Sequence, residues 1–215
     1  MTGDASIGFL PLAVYWASYL YFPAAAALVF IIAKRRGVWR SAAALALAPL
    51  TLLAYACFVE PRILLTRAHE IELARCMATG GSARIAVFSD MHLGVFGNAM
   101  PARRIARAVN AADPDAVLIA GDFTYWLAPE KFETAFAALA EIEAPAFAVT
   151  GNHDVGLPGP DVGAPLSEAL STIGLTVLDD AIATIEISGR KVEIAGLSDL
   201  WAENQKLALL ENRGP

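Results

Sequence analysis

Three short polar motifs hold the residues of this chain with the most specific chemistry: Ser89-Asp90-Met91-His92, Gly121-Asp122 and Gly151-Asn152-His153-Asp154. Asp, His and Asn offer oxygen and imidazole donors and the set has no thiolate. It therefore suits Mn, Fe, Zn or a similar divalent ion rather than a structural zinc finger. A carboxylate in the middle motif is placed to bridge two ions. Two ions about 3.5–4 Å apart polarise a phosphoryl oxygen, bring the pKa of a shared water toward neutrality and brace the leaving oxygen. Each motif alone reads equally as a capped turn, a strand-end turn or a left-handed Asn. In this order, about thirty residues apart and each behind an apolar run, the three are poorly explained as turns.

The elements that must position them are short buried strands: 85–88, 116–120 and 146–149, each apolar and bounded by Pro, Gly or Asp. Helices are predicted between them. Ile105, Ala108, Val109 and Ala112 share one helical face, and Phe132, Ala135, Phe136 and Leu139 share another behind Pro129 and Glu130. Leu166, Leu170 and Ile173 predict a further helix closed by Gly174, followed by a strand at 176–178. A hairpin follows, with Ile185 and Ile187 inward, a turn at Ser188-Gly189-Arg190 and Val192 and Ile194 resuming the alternation. A leading strand through 63–65 and 71–73 and a loop at 79–82 precede this α/β alternation, whose sheet is expected to be largely parallel. Open sheets of this kind bind ligands at the carboxyl ends of their strands, where all three motifs fall.

With these motifs in place, the chain resembles the calcineurin-like metallophosphoesterase superfamily, whose ordered signature is Asp-x-His, Gly-Asp and Gly-Asn-His-Asp/Glu. The resemblance runs over about residues 84–200. The apolar N-terminus and Ala195-Gly196-Leu197-Ser198-Asp199 make it similar to the membrane-anchored bacterial branch, which includes phosphodiesterases and hydrolases of a lipid A precursor. The resemblance implies an α/β fold, the N-terminal part of a four-layer αββα sandwich, with two divalent metal ions (Mn, Fe or Zn). It implies that Asp90 and His92 bind the first metal, that Asp122 bridges and that Asn152 binds the second. His153 would touch the phosphate and help protonate the leaving alkoxide, and Asp154 would orient its loop. The implied activity is hydrolysis of a phosphodiester or pyrophosphate bond by a metal-activated water, on a substrate that includes lipid-linked or envelope phosphodiesters.

Two departures stand against that pattern. Many members carry an acidic residue three positions after the bridging Asp, where this chain has Tyr125. The family also draws three further histidines from later motifs, whereas this chain has three in all, His69, His92 and His153. The expectation is a chain truncated ahead of those histidines. The alternative is a catalytically inactive pseudoenzyme or binding module that lacks them. Arg103 and Arg104 read as solvated helix residues, while Phe123 and Trp126 read equally as groove lining or packing.

The rest of the composition concerns a membrane. Of 215 residues, 56% are hydrophobic and 18% charged, which excludes an ordinary soluble globule, a disordered tract and a disulfide scaffold. The formal charge of −6 offers no basic stripe, so no nucleic-acid partner is expected. Apolar stretches at about 7–33 and 41–59 contain no charged residue and predict two transmembrane helices. A cleaved signal fits poorly, because residues 1–6 carry Asp4 and no Lys or Arg. A small channel fits poorly too, since neither helix carries an intramembrane charge. Lys34-Arg35-Arg36-Gly37-Val38-Trp39-Arg40 joins the helices with four cations and no anion, and such loops stay cytoplasmic. The expectation is a 1–62 anchor in a bacterial inner membrane and a 63–215 metallophosphoesterase domain on the periplasmic or extracellular side. Cys57 and Cys76 lie too differently placed to predict a disulfide.

Overall fold

The computed structural model describes residues 9–72, 82–94, 100–202 and 207–209. The predicted loop at 79–81, Cys76, Leu73 and the C-terminal residues 210–215 lie outside them. The chain divides into two compact units that meet between Leu65 and Thr66.

The first unit is a helical hairpin. Helix α1 (Phe9–Ser18) and helix α2 (Tyr21–Lys34) are separated by a short turn, and α3 (Val38–Ala54) runs on through a π-turn at Tyr55–Val59 and a 3-10 turn at Glu60–Arg62. Pro23 accounts for the break. It has no N–H to give the Tyr19 carbonyl, which instead accepts from Phe22 N at 3.3 Å. Pro49 lies inside α3 without ending it. Two spans, Leu12–Lys34 and Val38–Arg62, are long and apolar enough to cross a membrane. The second span runs longer than the charge-free stretch at 41–59, because Val38–Arg40 and Glu60–Arg62 are themselves helical, and the first takes in Lys34. Residues 63–72 form no strand, so the predicted leading strand is absent over its described part. Ile63, Leu65 and Ile71 are exposed, and among the described residues no strand pairs with them.

The second unit is built on a four-stranded parallel sheet of β1 (Ile85–Phe88), β3 (Ala116–Ala120), β5 (Ala146–Val149) and β6 (Thr176–Val177), in that order. Side chains alternate across it and sort into two cores. On one face Val117, Ile119, Ala146 and Ala148 pack with Ile105 and Val109 of α4 (Ala102–Ala111), Phe132 and Phe136 of α5 (Phe132–Phe136), and Leu166 and Leu170 of α6 (Gly163–Thr172). On the other, Ala116, Phe147, Leu118 and Val149 pack with Ile185, Ile187, Val192 and Ile194 of a hairpin. Its antiparallel strands are β7 (Ala181–Ile187) and β8 (Arg190–Gly196). Ser188 and Gly189 both have positive φ, 52° and 76°, the conformation of a two-residue turn whose twist matches its strands. Helices, parallel sheet and hairpin thus make three successive layers.

Local departures from the predicted elements are modest. The helix behind Pro129 is one α turn flanked by 3-10 turns at Pro129–Lys131 and Ala137–Glu141, and Leu139 still reaches the core. Arg103 is not simply solvated: its guanidinium pairs with Glu141 at 2.9 Å.

Candidate metal centre

Because β1, β3 and β5 are parallel neighbours, their carboxyl ends lie side by side, and each motif begins at the end of its own strand. The first two loops keep pairing beyond the sheet. Asp90 N donates to the Gly121 carbonyl at 3.1 Å, His92 N to the Asp122 carbonyl at 2.9 Å and Leu93 N to the Phe123 carbonyl at 2.9 Å. They continue as a small parallel pair, β2 (Leu93–Gly94) on β4 (Thr124–Tyr125). This ladder holds Asp90, His92 and Asp122 level with one another.

The backbone there is unusual. Asp90, His92 and Asp122 have φ of 57°, 43° and 56°, the left-handed region that side chains with a Cβ seldom adopt. Such conformations persist where surrounding structure over-determines them, typically at functional sites. Gly151 explains why the third motif begins with glycine. A Cβ there would lie 2.1 Å from Asp122 Oδ1. With no Cβ in the way, His153 N donates to that same oxygen at 3.1 Å.

Asp154 ties the loops together from beneath. Fully buried, it accepts from Phe123 N at 3.1 Å, Thr124 N at 2.9 Å, Thr124 Oγ1 at 2.9 Å and Gly151 N at 3.0 Å. Burial pushes its carboxyl above the ordinary range, and these hydrogen bonds pull the other way. With every lone-pair direction used inside the loops, it has an orienting role. A second brace comes from Asp179, whose oxygens accept from Thr150 N at 2.7 Å and Thr150 Oγ1 at 2.9 Å.

The side chains converge above this scaffold. Ligand atoms of His92, Asp122 and His153 lie within 4.8 Å of one another, and all three residues are half-buried. His92 Nε2 is 3.7 Å from Asp122 Oδ2 and 3.2 Å from Asp90 Oδ1. Asp90 is the exposed member, its other oxygen taking a hydrogen bond from Ser89 Oγ. The imidazoles of His92 and His153 meet edge to face, centroids 4.7 Å apart. Asn152 shares the His153 loop. Its amide nitrogen donates to the Leu157 carbonyl at 2.5 Å, so its oxygen is the atom free for a metal. His69 is exposed.

These residues fit a divalent cation. Nδ1 of both His92 and His153 is buried with no hydrogen-bond partner, and carboxylate oxygens of Asp90 and Asp122 lie 3.2 and 3.7 Å from His92 Nε2. Among the described residues no lysine or arginine forms an ion pair with Asp90 or Asp122. A phosphoryl anion approaching them therefore requires a cation that the side chains do not supply.

Sequence reasoning had passed over three contributors. Tyr125, noted only as a departure from the family pattern, packs its ring 4.9 Å from His153 and 5.9 Å from His92. Thr124 and Asp179 serve as braces, and single hydroxyls and strand-end carboxylates give no spacing signal. Of the two aromatics left open, Phe123 is core, fully buried against Phe136. Trp126 meets Tyr125 edge to face, with ring centroids 4.6 Å apart.

A model of the calcineurin-like phosphoesterase family matches residues 83–211 of the chain. The phosphodiesterase YaeI of Escherichia coli is 32% identical over 125 residues, 55% of this chain and 44% of that protein. The uncharacterized metallophosphoesterase YkuE of Bacillus subtilis is 28% identical over 159 residues, 70% of this chain and 53% of that protein. A Caenorhabditis elegans protein with a metallophosphoesterase name is 29% identical over 143 residues, 64% of this chain and 28% of that protein. The chain thus spans about half or less of the length of these curated relatives. No solved structure matches it significantly. The matched segment contains all three loops of the candidate centre, and the chain belongs to the calcineurin-like phosphoesterase family.

Proposed function

We propose that the second unit is a metal-dependent phosphoesterase acting on phosphodiester or pyrophosphate bonds. The observation that carries this reading is the meeting of His92, Asp122 and His153 at the ends of three adjacent parallel strands. In it Asp90 and His92 hold a first divalent ion, Asp122 bridges and Asn152 holds a second. The bound metals supply Lewis acidity and a nucleophile at neutral pH. Asp122 is oriented by the His153 N–H, so its carboxylate needs no reorganisation when charge develops. His153, beside His92 and under Tyr125, faces the phosphoryl group and delivers a proton to the departing oxygen. Purified chain with Mn²⁺ is expected to hydrolyse an aryl phosphodiester, and Asp122→Ala to abolish this. No turnover at any metal concentration would exclude the activity for this chain.

A second reading rests on the histidine count. With three His in 215 residues, two complete coordination spheres need donors from elsewhere. The chain would then bind metal without turnover, and metal binding in the absence of hydrolysis is the result that favours it.

The helical unit, in this proposal, anchors the protein in a bacterial inner membrane and brings the site to envelope or lipid-linked substrates. The loop between the helices lies in the cytoplasm and the catalytic unit outside. A reporter fused after Pro215 is expected to be active only on the outer side, and activity confined to the cytoplasm overturns the orientation.

A further inference from the structure

We infer that the loop joining α2 to α3 is a binding site for anionic phospholipid headgroups, an inference that rests on the membrane-anchoring reading above. The hairpin has two chemically different ends. At one, Tyr15, Trp16, Tyr19, Phe22 and Phe58 form an aromatic cluster, with Tyr19 and Phe22 centroids 5.7 and 5.4 Å from Phe58. Glu60 and Arg62 lie at that end and their charges offset. At the other, Lys34, Arg35, Arg36 and Arg40 crowd a tight connection with no acidic residue.

The connection is tight because Arg35 is extended and Gly37 takes φ of 62°, so α3 starts immediately after the turn. All four cations are exposed, and among the described residues none has a carboxylate partner. Trp39 and Val38 stand beside them, 69% and 74% exposed.

Length puts this group at a definite depth. Counted as helix, the 25-residue span Val38–Arg62 reaches about 38 Å, against a hydrocarbon core of about 30 Å. The surplus carries the loop into the headgroup layer. There an indole prefers the boundary and long cationic side chains extend toward phosphate. Four cations within seven residues, with no internal anion to neutralise them, match a cluster of phosphodiester headgroups. The alternative is that the cations only set orientation, which needs no lipid preference.

The test uses the full chain in symmetric vesicles of phosphatidylcholine with a minority of phosphatidylglycerol, so that orientation does not affect the readout. Discs are cut from the bilayer with an amphipathic polymer and their lipids counted. Phosphatidylglycerol is expected to be enriched roughly threefold or more over the bulk, less at high salt, and K34Q/R35Q/R36Q/R40Q to return it to the bulk ratio. Equal enrichment in both proteins, or none in either, overturns the inference. Washing pure phosphatidylcholine vesicles at alkaline pH separates the two readings. Retention of both proteins upholds anchoring whatever the lipid count, and loss of the wild-type chain overturns anchoring and this inference together.

Discussion

At Gly151 a side chain is excluded by Asp122, whose carboxylate and backbone N would lie 2.1 and 2.4 Å from an added Cβ. An added methyl group would therefore displace both the carboxylate proposed to bridge the metals and the backbone of the loop that carries it. Gly151→Ala is expected to lower Mn²⁺ affinity by about 10–100-fold, the range found when supporting groups around a metal are disturbed. The core lies elsewhere and the far-ultraviolet spectrum should not change. Calorimetric titration checks the affinity, and unaltered binding would remove the role given to this contact. Glycine was visible in the motif as a turn former. That its absent Cβ makes room for a carboxylate from a loop about thirty residues earlier was not, because the contact is made across two strands. The same holds for Tyr125, whose contact with His153 comes through β4 and the Asp154 brace.

Among the elements, the helical layer is set by apolar spacing. Leu166, fully buried in the core that α6 shares with α4 and α5, packs where the neighbouring side chains leave little room to collapse. Leu166→Ala should cost the second unit about 3 kcal/mol and lower its melting temperature by roughly 6–12 °C. Thermal unfolding followed by circular dichroism measures it, and a change under about 1 kcal/mol would mean that the helix is less committed to the sheet than its burial shows. Short apolar runs anticipated β1, β3 and β5, helical spacing anticipated α4 and α6, and period-2 alternation anticipated the hairpin. They failed at 63–72, where apolar residues in sequence have no strand beside them, and over 129–141, where a helical face is built mostly from 3-10 turns. A hydrophobic pattern reports which side is buried, and the hydrogen-bond ladder depends on neighbours the pattern does not contain.

For the molecule as a whole, a metal that binds only the folded second unit must stabilise it. At a hundred times its dissociation constant a divalent ion adds about 2.7 kcal/mol. Mn²⁺ is therefore expected to raise the melting temperature and a chelator to reverse it, and a melting temperature indifferent to both would contradict the metal site. The order and type of the motifs, the α/β rhythm around them and the two apolar spans were determined by the sequence alone, because each is a local property of residue type and spacing. Tertiary structure decided what those residues do to one another. The parallel order β1-β3-β5 brings Asp90, His92, Asp122 and His153 to one place, and the backbone ladder from Asp90 to Leu93 together with the Asp154 and Asp179 braces holds their loops at that height. Those contacts join residues some thirty positions apart, a distance over which composition and periodicity carry no information and packing carries all of it.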